Sequence, residues 1–90
     1  MSAVQTTMAW DATALAKYQR MLGLIPTFHR GIAQEVVNKK AEELTRARGA
    51  VKVEESDIVR AFFSEVPKAF YQLMVRVMDE VGFDYRKYTT

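Results

Sequence analysis

The side chains most capable of chemistry crowd together in "IPTFHRG", residues 25–31. His29 is the only histidine of the chain, and Arg30 follows it directly. An imidazole oriented by a carboxylate can act as a general base near neutral pH. One histidine alone makes no metal cluster, and neither an i,i+4 histidine pair nor H-E-x-x-H occurs. The simpler reading is a helix start. Pro26 disfavours helical geometry at Ile25 and suits the beginning of a helix, with Thr27 as the expected N-cap. A helix N-terminus presents free amides to anions. Thr27, His29 and Arg30 are therefore the candidate ligand or anion site.

No other cluster points to catalysis. The four glycines are scattered, so no phosphate loop forms. Ser56 and Ser64 have no histidine near them in sequence and suit helix starts. Glu54, Glu55 and Asp57 spread around the first turn of a helix, where they complement its dipole rather than converge on a metal. The five methionines fit core filling. The expectation is a protein without catalytic residues, metal or cofactor, and not an enzyme.

The elements that carry these residues read as helices. Asp11 is a good N-cap, and Trp10 with Leu15 has the spacing of a hydrophobic staple. Leu15, Tyr18 and Leu22 make one stripe of a first helix that Gly23 ends. A second helix of about 22 residues carries Phe28, Ile32 and Val36, then Val37, Ala41 and Leu44, and stops at Gly49. Glu35–Lys39 and Glu42–Arg46 are i,i+4 pairs in the favourable order. Val51 and Val53 flank Lys52 in a short extended link, with both valines expected to point inward. A third helix begins near residues 54–56, directs Ile58, Ala61 and Phe62 to the core, and ends at Val66-Pro67.

The fourth helix, "KAFYQLMVRVMDEV", is apolar on two faces. Phe70, Leu73, Met74, Val77 and Val81 form one; Tyr71, Val75 and Met78 form the other. A helix of this kind is buried on both sides. A chain of 90 residues hides only about 60–65% of its unfolded surface. Phe70, Tyr71, Met74, Val75 and Met78 are accordingly the candidate partner interface. The predicted architecture is an all-α, four-helix domain over residues 10–83, with a long central helix and a short extended link before the third helix. Residues 1–9 are expected to fray, and residues 84–90 to form a tail.

Charge narrows the function classes. The net charge is +2; residues 1–50 carry +3 and residues 51–90 carry −1. Nucleic-acid binders concentrate positive charge on one face. Lys39, Lys40, Arg46, Arg48 and Lys52 are the residues such a face would use, but i,i+4 ion pairing accounts for part of that set. The chain has no cysteine, no secretory leader pattern and no apolar run near the ~20 residues that span a bilayer, so a cytoplasmic location is expected.

Two families resemble parts of this sequence. Ile25-Pro26-Thr27-Phe28-His29-Arg30, then Ala33, Ala41, Gly49 and Val53-Glu54-Glu55-Ser56-Asp57-Ile58, is similar to the PCP-reductase C-terminal domain. That is the small helical module ending the B subunit of light-independent protochlorophyllide reductase. The resemblance implies that Phe28 anchors the central helix in the core. It also implies that Arg30 stays free near the N-terminus of that helix, where the reductase holds its tetrapyrrole. The chain carries no cysteine ligands for an iron–sulfur cluster and adds the fourth apolar helix, so the resemblance implies a docking module rather than an enzyme. The stretch "AEELTRARGAVKVEESDIVRAF" is similar to archaeal histones. In that fold, basic residues just after the glycine hold phosphate, and one pairs with the aspartate seven residues later. Ala50 and Val51 occupy those places here, while Asp57 remains. The sequence thus predicts a non-catalytic helical interaction module, a homodimer or a partner-protein subunit, near a tetrapyrrole-like or other hydrophobic ligand. The alternative is a dimeric, histone-like nucleic-acid binder.

Overall fold

The computed structural model describes residues 8–89. The segment 1–7, most of the stretch expected to fray, lies outside the described residues. The protein is all-α: α1 (Ala12–Leu24), α2 (Thr27–Ala47), α3 (Glu55–Glu65), α4 (Tyr71–Val81) and a short α5 (Tyr85–Tyr88). A 3-10 turn, Lys68–Phe70, leads into α4. Two short strands, β1 (Ala9–Trp10) and β2 (Lys52–Val53), pair in parallel, with Ala9 opposite Lys52 and Trp10 opposite Val53. The pairing continues one residue further, where the Asp11 amide donates to the Val53 carbonyl at 2.8 Å.

Local chemistry sets the boundaries. Asp11 caps α1 by accepting from the Ala14 amide at 2.9 Å. Pro26, not Thr27, occupies the N-cap of α2, and no side chain caps that end. Thr27 is the first helical residue, because proline already holds the chain in the extended geometry a cap needs. Gly49 and Gly82 stand at φ of +74° and +87°, a left-handed conformation that lets each follow a helix end without strain.

The core lies where α1, α2, α3 and α4 converge. Tyr18, Met21, Val37, Ala41, Ile58, Phe62 and Met78 are buried in it. Tyr18 meets Phe62 edge-on at 5.7 Å and stacks on Trp10 at 5.6 Å, so β1 closes the core from the N-terminal side. Both α2 and α4 pack on α1. Lys17 of α1 bridges the Glu55 carboxylate (3.1 Å) and the Gly82 carbonyl (3.0 Å), tying the start of α3 to the end of α4.

Two details of the link between α2 and α3 differ from the expected pattern. Val53 is buried, but Val51 is 83% exposed, because β2 begins only at Lys52 and Val51 precedes the paired register. Residues 84–90, expected as a tail, include α5. Its Tyr88 hydroxyl and the Asp84 amide both donate to Glu55.

Asp57 is 1% exposed and carries the local electrostatics. Arg48 grips it with two bonds, Nε to Oδ1 at 2.8 Å and Nη2 to Oδ2 at 2.7 Å. The Glu54 amide adds a third at 2.9 Å. Burial alone would raise the Asp57 pKa. The bonds from Arg48 and the Glu54 amide outweigh it and hold the carboxyl below its ordinary value. The stability this contributes is fully present above the unfolded value near 4 and is lost as pH falls through the lower folded value. Urea titrations at pH 7 should show Asp57→Ala less stable than the parent by about 2–3 kcal/mol, as for a broken buried pair with one partly solvated partner. Below pH 4 the parent should lose stability more steeply than Asp57→Asn.

Candidate functional site: an apolar cleft between α2 and α4

Two stripes of side chains run along α2, one in each half. Val37, Ala41 and Thr45 step by four and are buried against the core. Phe28, Ile32 and Val36 also step by four, one residue earlier in phase. One residue is about 100° around a helix, so this second stripe faces sideways instead of inward. Phe28 is 77% and Ile32 68% exposed. The expectation that Phe28 anchors the central helix in the core is therefore overturned: its position on the helix directs it away from the interior.

Across from this stripe stands the start of α4, with Phe70 and Leu73 half-exposed. Between them lies a cleft of about 380 Å³. Met21, Leu24 and Ile25 at the end of α1 line it, with Phe62, Val66 and Pro67 at the end of α3 and Met74 and Val77 of α4. Among the described residues that line it, only His29 and Glu65 have ionisable side chains. The rings of Phe28 and His29 lie 4.0 Å apart, and His29 is 6.3 Å from Phe70, so three rings cross one end of the cleft. Of the six large apolar residues exposed among those described, five (Leu24, Phe28, Ile32, Phe70 and Leu73) line this cleft. Val51 is the sixth.

The candidate residues from sequence fall into three groups. Of the Thr27–His29–Arg30 set, His29 lines the cleft and Thr27 is exposed beside it. Arg30 is not free: its Nη2 donates to the Gly23 carbonyl (3.3 Å) and the Ile25 carbonyl (3.1 Å), fastening the turn between α1 and α2. Those carbonyls end α1 and would otherwise lack partners.

Of the α4 set, Phe70 and Met74 line the cleft, but the second face of the helix is occupied internally. Met78 is fully buried, Val75 is half-buried, and the Tyr71 hydroxyl donates to the Phe63 carbonyl. The Tyr71 ring sits edge-on to Phe63 at 5.1 Å. The surplus apolar surface of α4 is thus the Phe70–Leu73 edge, not the Tyr71–Val75–Met78 face. Leu24, Ile32 and Leu73 were not singled out as interface residues. The one-residue phase shift along α2 was the sequence signal that could have separated Ile32 from the core.

Of the basic set, only Arg48 is held tightly; the other pairs are long and solvent-exposed. Arg48 is bound to Asp57 and Glu54, and Arg46 lies 3.6 Å from Glu42. Lys40 and Lys52 lie 4.0 Å from Glu43 and Asp11. Lys39 makes no ion pair among the described residues, so the expected Glu35–Lys39 pair does not form. Arg48 takes the aspartate-pairing role from before Gly49, whereas the histone pattern places it after the glycine. Among the described residues no group of three metal-binding side chains exists, and no helix is long and apolar enough to cross a membrane.

No family model matches the chain, and no curated protein or solved structure matches it. An exposed Phe28 makes a direct prediction. Phe28→Ala should change the stability of the monomeric chain by less than about 0.5 kcal/mol in urea unfolding, against the 3–5 kcal/mol that a core phenylalanine would cost.

Proposed function

We propose that this chain is a non-catalytic helical interaction module that docks another apolar surface in the cleft between α2 and α4. The observation that carries this reading is the gathering of Leu24, Phe28, Ile32, Phe70 and Leu73 around one opening. Isolated exposed hydrophobics are ordinary, but a contiguous apolar patch with few polar groups marks an interaction surface. The cleft volume also falls within the ~300–1,000 Å³ range of small-molecule sites, so a flat hydrophobic ligand fits the same reading. Nucleic-acid binding is the weaker reading, since Arg48 is bound to buried Asp57, acidic Glu42, Glu43 and Asp11 lie 3.6–4.0 Å from three of the other candidates, and the net charge is only +2. Counterion release, which drives such binding, needs cations free to meet phosphate.

Anilinonaphthalene sulfonate, which fluoresces on exposed apolar surface, tests the cleft. The dilute monomer should enhance its emission, and Ile32→Glu and Leu73→Glu should each abolish the enhancement while leaving far-UV circular dichroism unchanged. A chain that sediments as a monomer and leaves the dye dark would overturn the docking reading.

A further inference from the structure

We infer that the occupant of the cleft is a second copy of this chain, docked about a two-fold axis. The Phe28–Ile32 ridge of each copy would enter the cleft of the other. This deepens the docking reading above and rests on it.

The first support is shape. One patch holds both a ridge and a hollow: Phe28 and Ile32 are its most exposed members, and Met21, Phe62 and Met74 lie in the adjoining hollow. A two-fold interface requires a surface that complements itself, residue i meeting j while j meets i. The second is area. An aromatic side chain removes roughly 150–250 Å² from water when buried, and a leucine or isoleucine somewhat less. Two phenylalanines and three smaller aliphatic residues, each about half to three-quarters exposed, together present on the order of 500 Å². A standard interface covers about 800 Å² per partner, somewhat over half of it apolar, so the patch supplies the apolar area that a stable dimer needs.

The third support is Gly31, between the two ridge residues. A glycine inside a helix weakens it relative to alanine. Nothing in the protomer calls for one: Gly31 has no positive φ, and a Cβ added there meets nothing within 4 Å. A second helix crossing at Gly31 does call for one, because the missing side chain lets two backbones approach. Little charge stands on the ridge itself, and Glu65 carries the one fixed charge among the described residues that line the hollow. Arg30 is the only residue with a fixed charge in residues 27–34, and its guanidinium is committed to the Gly23 and Ile25 carbonyls. A net charge of +2 repels a second copy little.

Sedimentation equilibrium of the full chain between 1 and 200 μM tests this, with three variants. The parent should approach twice the chain mass at the upper end. Ile32→Glu should weaken association at least about 30-fold, the loss typical of a central hot spot. Gly31→Leu should block association without lowering helicity or the melting temperature at 1 μM, because the protomer leaves that position open. Val51→Glu, which removes the exposed apolar residue outside the cleft, should leave association unchanged. Dye emission per chain should also fall as dimer forms. A parent that stays monomeric at 200 μM while still lighting the dye would overturn the second-copy assignment and leave the docking reading standing. A parent that is monomeric and dark would overturn both. Association weakened as much by Val51→Glu as by Ile32→Glu, or untouched by Gly31→Leu, would also refute the assignment.

Discussion

α1 holds α2 and α4 apart, and the rest of the molecule follows from that. Both helices pack on α1, α2 also packs along α3, and the Pro67 turn starts α4 on the far side of the end of α3. The N-terminal halves of α2 and α4 therefore face each other across the end of α1 without closing. Tyr18 makes α1 hard to displace. Its ring is buried between Trp10 and Phe62, and its hydroxyl reaches the Asn38 side chain and the Gln34 carbonyl of α2. Collapsing the cleft would mean unpacking that ring, and with it the contacts that join β1, α2 and α3.

The opposite end of the molecule is fixed by polar bonds instead of bulk. β1 pairs with β2, Arg48 seizes the buried Asp57 at the start of α3, and Glu55 gathers Lys17, the Asp84 amide and Tyr88. Buried polar groups are tolerable only when their bonds are complete, and Asp57 meets that condition with three donors. Arg48, just before Gly49, thereby becomes structural. A cation that neutralises a carboxylate inside its own fold is a poor instrument for phosphate. The two ends thus divide the labour, with ion pairs holding the frame and apolar side chains left over at the cleft.

Much of this frame was legible in the sequence. Asp11 as a cap, the stops at Gly49 and Gly82, the long second helix and the inward set Ile58, Ala61 and Phe62 all follow from local rules that the fold obeys, whereas Gly23, expected to end α1, lies within it and Ile25 takes the C-cap. The candidate site was legible only in part, for geometric reasons. Periodicity shows that Phe28, Ile32 and Val36 share a face, but not which neighbour, if any, covers that face. The same ambiguity mixed the two sides of α4: Phe70 and Met74 do line the cleft, but Tyr71 and Met78 find partners in α3 and the core, which no reading of α4 alone reveals. Long-range polar choices were equally hidden. Arg48 meets Asp57 nine residues away, and Arg30 turns back to close α1. The Ala9–Trp10 strand escaped notice because two residues carry too little pattern to register.

The central claim is that the working surface of this protein is the cleft between α2 and α4. Methyl-resolved NMR of the full chain, followed from micromolar to submillimolar concentration, tests it most directly. Resonances of Leu24, Ile32, Leu73 and Val77 should move together with concentration, while those of Val53 and Val59 at the polar-framed end stay fixed. If the cleft methyls hold still and the shifting signals cluster along the Lys39–Arg46 flank, the assignment of function to the cleft is wrong.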